Sequence, residues 1–141
     1  MKKKILLSGL AVFVLWSLLD FVIHGMILKS TYASTAFLWR PMAEMKIGLM
    51  YVTVFIAAMV FAPLYGWFVG NKNLRTGLKF GLLYGIAFGV GMGYGSYSVM
   101  PIPYFMALTW FLGTVVEATL AGLLVGQIIR EQTIPPGSVS P

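Results

Sequence analysis

Three ionisable side chains stand in apolar surroundings: Asp20 and His24 in LLDFVIHG, and Glu117 in TVVEATLAG. An aspartate at the centre of a membrane-crossing helix costs about 2.5–3.5 kcal/mol by insertion scales, so such groups mark chemistry or a specific internal contact. Asp20 and His24 are four residues apart and share one helix face, with Ser17 on the same face. Glu117 borders a row of small residues that points it toward other helices rather than lipid.

Three chemistries fit this set. Asp20, His24 and Glu117 could form a closed hydrogen-bonded cluster that fixes helix packing, sharing protons so that little net charge remains. They could line a proton path, since an imidazole titrates near neutrality. They could hold a metal through two carboxylates and an imidazole. Apart from Met1, the methionines are Met26, Met42, Met45, Met50, Met59, Met92, Met100 and Met106. All but Met59 fall on the side of His24, a pairing that suits Cu(I) but equally suits apolar gap filling.

The elements that must position these residues follow from composition. The chain has 141 residues, 59% hydrophobic and 10% charged, with a mean hydropathy of +0.87. Ordinary soluble domains are about a quarter charged. Four apolar stretches, Ile5–Leu28, Ile47–Val69, Phe80–Val99 and Tyr104–Ile129, are each long enough to cross a hydrocarbon core of about 30 Å as a helix. The expected fold is an all-α membrane protein of four antiparallel transmembrane helices, one unit over residues 1–130. Residues 131–141, polar and proline-rich, read as a disordered tail. The basic start MKKK precedes an apolar run that continues past Asp20 with no small-residue cleavage site, so it reads as a retained first span.

The net charge of +6 describes topology. Lys2, Lys3, Lys4, Lys72, Arg75, Lys79 and Arg130 fall on one side of four alternating spans, and Lys29, Arg40 and Lys46 on the other. That bias places both termini in the cytoplasm of a bacterial-type inner membrane. The lipid bilayer is the implied partner, and nothing calls for nucleic acid. The absence of cysteine removes thiolate metal sites and dithiol redox chemistry. One histidine cannot supply a bis-histidine haem within one chain, although a homodimer could. No cofactor is implied, and no phosphate loop, nucleophile elbow or HExxH motif is present.

The stretch GLKFGLLYGIAFGVGMG places Gly77, Gly81, Gly85, Gly89 and Gly93 in register, and Thr114, Ala118, Gly122 and Gly126 form a matching row. Small residues at this spacing let two helix backbones approach in lipid, and the short MPIPY turn makes the two rows neighbours. Gly91 and Gly95 would widen the groove. The groove could instead admit a second copy or a larger complex. The loop Lys29–Lys46 suggests a short helix or re-entrant turn at the interface, with Trp39 as an anchor and Arg40, Glu44 and Lys46 as a charged cap on the outer side. KIGLMYVTVF and KFGLLYGIAF echo one another faintly, as inverted repeats do.

By size and hydropathy the chain resembles the small multi-pass inner-membrane proteins of bacteria, a likeness that brings no site residue with it. The first-span glutamate of small multidrug exporters has no counterpart, and the Asn- and Thr/Phe-rich motifs of fluoride channels are absent. The leading expectation is a non-enzymatic accessory or structural membrane protein. The alternatives are a proton- or ion-coupled carrier or channel using Asp20 and Glu117, and an outward-facing copper-handling protein using His24.

Overall fold

A computed structural model describes residues 1–130, and the expected tail at 131–141 lies outside them. The described chain is helical throughout its ordered elements, with no strand among them. Helix α1, Lys2–Asp20, continues as a π-helical stretch, Phe21–Ile27. A short α2, Lys29–Ser34, and two 3-10 turns, Ala36–Leu38 and Met42–Glu44, form a strap leading to α3, Ile47–Phe68. Helix α4, Leu74–Val90, runs through a π-turn, Gly91–Gly95, into α5, Ser96–Val99. Helix α6 is Tyr104–Ile128.

Among the described residues three helices are long and apolar enough to cross a membrane: Lys2–Ile27, Ile47–Phe68 and Tyr104–Ile128. The expected third span is not one of them; the helix over that stretch, α4, begins at Leu74 rather than Phe80. Its start is set by a capping box, in which Asn73 Oδ1 accepts from Thr76 N at 3.0 Å while Asn73 N donates to Thr76 Oγ1 at 3.0 Å. Hydropathy hides this turn because Arg75 and Lys79 fall in it, and both are exposed. Asn73→Ala is expected to cost about 1 kcal/mol through loss of the cap. Comparing its thermal unfolding in detergent with that of Asn73→Asp, which keeps an acceptor, checks this.

Helices α4 and α6 pack most closely. A Cβ placed on Gly77 would collide with the Gly122 carbonyl and one on Gly81 with the Ala118 carbonyl, while at Gly85 it would stand 2.8 Å from Val115 Cα and at Gly89 2.9 Å from the Phe111 carbonyl. At Gly93 it would meet the Ala107 carbonyl at 2.5 Å. Partner numbers thus fall along α6 as they rise along α4, and Thr114, Ala118, Gly122 and Gly126 are the surface that Gly77–Gly89 meet. Gly91 and Gly95 do not join this groove. Nothing lies within 4 Å of a Cβ at Gly91, and only the Val90 carbonyl, at 3.9 Å, approaches one at Gly95; the π-turn rotates both away. Gly48, the counterpart of Gly81 in the sequence echo, also has nothing within 4 Å. The two repeats therefore occupy unlike environments.

Helix α1 packs on α3, with Gly9 against Met59 and Phe13 edge-on to Phe55 at 5.4 Å. Two apolar clusters result. One, around Val12, Trp16, Phe61, Tyr65 and Val125, fills the end of the bundle that holds residue 1 and the Asn73 cap. The other, around Leu28, Ile102, Met106 and Trp110, lies under the strap. Trp39 is partly buried and packs against this second cluster. Its ring meets Tyr32 edge-on at 5.4 Å and its Nε1 donates to Thr35 Oγ1 at 2.9 Å. The polar end of the indole is thus satisfied within the strap.

Candidate functional site

Between the two clusters lies a cavity of about 360 Å³, lined by residues of α1 and its π extension, α3, α4 with its π-turn, and α6. Asp20, His24 and Glu117 all face it. Thr53 and Ala57 of α3, with Phe88 and Met92 opposite, also line it and remain exposed, so it is an open cleft rather than a sealed void. Helices α3 and α4 meet closely only below it, where Phe61 packs against Phe80 at 5.0 Å and Tyr84 at 4.9 Å.

The polar groups are joined in a line. His24 Nε2 lies 3.6 Å from Asp20 Oδ1, with the two side chains 39% and 34% exposed. That separation is an electrostatic pairing and too long for a hydrogen bond. His24 Nδ1 is 2.7 Å from the Tyr32 hydroxyl, which also accepts from Trp110 Nε1 at 2.9 Å. An indole N–H can only donate. The Tyr32 oxygen is therefore an acceptor toward Trp110, and its own proton is free to go to His24 Nδ1. With that proton donated to Nδ1, the neutral imidazole carries its own proton on Nε2, facing Asp20. Burial pushes the Tyr32 hydroxyl pKa above its ordinary value, which keeps it protonated as the donor.

Glu117 completes the line from α6. Its carboxyl interacts with that of Asp20 across the cleft. The backbone carbonyl of Glu117 accepts from Trp16 Nε1 at 3.0 Å, tying α1 to α6 at this level. Glu117 Oε1 is buried with no hydrogen-bond partner, an arrangement that costs about 1–3 kcal/mol where nothing compensates it. An orphaned acceptor beside a second carboxyl is the strongest chemical feature of the site.

The other sequence candidates stand apart. Ser17 donates to the Phe13 carbonyl at 2.8 Å within its own helix and does not line the cleft. Arg40, Glu44 and Lys46 are exposed and line no part of it. Met92 lines the cleft, whereas Met106 is fully buried under the strap and Met26, Met42, Met45 and Met50 are exposed elsewhere. Among the described residues no group of three His, Asp or Glu is arranged to hold a metal ion.

Tyr32, Trp110 and Trp16 were not singled out from the sequence. The signal was present in residue type alone, since a buried Tyr or Trp needs a partner for its polar tip; the partner is 78 residues away for the Tyr32–Trp110 bond. Tyr32→Phe is expected to cost about 1–3 kcal/mol, because it leaves the Trp110 N–H buried without an acceptor. A thermal unfolding midpoint in detergent equal to wild type would contradict the assigned bond.

Comparison with protein-family models, with curated proteins and with solved structures returns no match. The chemistry of the cleft is accordingly argued from its own atoms.

Proposed function

We propose that this chain is a four-span integral protein of a bacterial-type inner membrane, with antiparallel helices and both termini cytoplasmic. We propose further that it is a small proton- or cation-coupled carrier rather than an enzyme. Its topology is supported by the asymmetry of Lys and Arg between the two ends of the bundle. The fourth span in this reading is α4 with its π-turn and α5, and the cleft lies in the outer half of the bundle, open between α3 and α4.

The observation that carries the reading is the open cleft reaching Asp20, His24 and Glu117, with Glu117 Oε1 unpartnered. A purely structural cluster favours enclosed carboxyls whose acceptors are all satisfied. A carrier favours an accessible acceptor that a proton or cation can occupy and leave. The accessory reading also relied on the glycine row as a docking surface for a second copy or larger complex, and α6 occupies that row within the chain. Copper handling through His24 and thioethers has less support, since among the described residues Met92 is the one methionine lining the cleft with His24.

Reconstitution in liposomes tests the carrier. With an imposed potassium diffusion potential and an internal pH dye, protein-dependent proton uptake is expected. Uptake equal to empty liposomes, with and without candidate cations outside, would remove this function.

A further inference from the structure

The cleft holds more than a carboxylate pair, and its walls indicate what it binds. Trp16 and Trp110 line it, and both indole N–H groups are already committed, one to the Glu117 carbonyl at 3.0 Å and the other to the Tyr32 hydroxyl at 2.9 Å. Those bonds hold the rings in place and leave the walls to present aromatic surface and not donors. Phe88 adds a third ring, stacked on Tyr84 at 4.4 Å and 60% exposed. Asp20 and Glu117 both line the cleft, and the Glu117 Oε1 acceptor is unpartnered. Two carboxyls on one apolar site hold one proton between them and leave a single negative charge without a counter-ion.

We infer that the cleft is a binding site for a small organic ammonium ion, its charge set against Asp20 and Glu117 and its alkyl groups against Trp16, Trp110 and Phe88. This rests on the carrier reading and names its substrate class. Aromatic faces attract alkylammonium groups through the ring quadrupole, most strongly where water is excluded. A volume of about 360 Å³ falls in the range of small-molecule sites. A divalent metal fits less well, because no three His, Asp or Glu are grouped to ligate one among the described residues. An anion is excluded by the carboxyl pair. The single imidazole, held by Tyr32 on one side, faces Asp20 on the other and presents no positive surface to the cleft when neutral.

The test is equilibrium dialysis of radiolabelled benzyltrimethylammonium against the full chain in a non-ionic maltoside detergent, with protein-free micelles as background. Saturable binding of one ion per chain is expected. Asp20→Asn and Glu117→Gln should each weaken it at least tenfold. Phe88→Leu, at an exposed wall position, should weaken it about threefold, the size of one cation–π contact. The neutral isostere neopentylbenzene should not compete. No saturable binding, equal competition by the neutral compound, or wild-type affinity in both carboxyl variants would overturn the assignment. Size-exclusion profiles confirm that each variant is folded, and Asp20, one-third exposed, is the more tolerant of the two carboxyl positions. Saturable ammonium binding without any flux in liposomes would keep this site and remove the carrier. Proton flux that the ammonium neither inhibits nor accompanies would keep the carrier and overturn this ligand class.

Discussion

Gly81→Val is expected to unfold the α4–α6 pair, lowering stability toward or beyond the upper end of the roughly 1–3 kcal/mol typical of overpacking. The reason lies in what the new side chain meets. A Cβ at Gly81 collides with the Ala118 carbonyl and stands 2.9 Å from Gly122 Cα. These are backbone atoms, which cannot rotate out of the way as a side chain can. The same helix faces approach along their whole length, so relief at one position would disturb the contacts at Gly77 and Gly85. In lipid there is no water-driven force to restore the pair, and close backbone packing is the main source of association. Gly48→Val serves as the control, because nothing lies within 4 Å of that position. Thermal unfolding followed by size-exclusion profile in detergent should show loss of the folded species for Gly81→Val, with Gly48→Val close to wild type. Equal behaviour of the two variants would contradict the register of α4 against α6.

Glu117→Gln is expected to abolish coupled transport, at least tenfold below wild type in reconstituted liposomes, while leaving the fold intact. Glutamine keeps the volume of the side chain and an acceptor oxygen. It removes the ability to exchange a proton or to balance a cation. The bond that ties α1 to α6 here uses the Glu117 backbone carbonyl, at 3.0 Å from Trp16 Nε1, so the substitution leaves that crosslink in place. Glutamine still puts a polar atom where the unpartnered oxygen stands, so the cost of burying it there stays similar. An unfolding temperature close to wild type is therefore expected alongside the lost flux. Wild-type flux in Glu117→Gln would show that this carboxyl carries nothing across. A misfolded variant would point to the closed structural cluster as its role.

These two expectations rest on different kinds of information. The glycine register was legible in the sequence because a four-residue spacing of small residues has one physical use in a membrane helix, close approach of another backbone. The apolar stretches were legible because length and hydropathy bound what a helix in lipid can be; α1 with its π-helical extension, α3 and α6 match three of them closely, each within three residues at either end. The start of α4 was not, because a capping box inside a charged turn outweighs hydropathy. The proximity of Asp20 to His24 was likewise readable, being local to one helix face.

What the sequence could not supply was everything set by contacts between distant segments. The Tyr32 hydroxyl reaches His24 and Trp110 only because the strap folds back over the end of the bundle. Trp39 turns inward for the same reason. The π-turns at Phe21–Ile27 and Gly91–Gly95 leave no trace in residue periodicity, yet they rotate Gly91 and Gly95 out of the groove. Above all, whether the carboxyls would be sealed or open depended on how far α3 stands from α4 beside them. Spacing along one helix fixes which residues share a face, because the helix repeat is a local property of the backbone. The distance between two helices is fixed by the side chains each presents to the other, and that is decided only when the whole bundle packs.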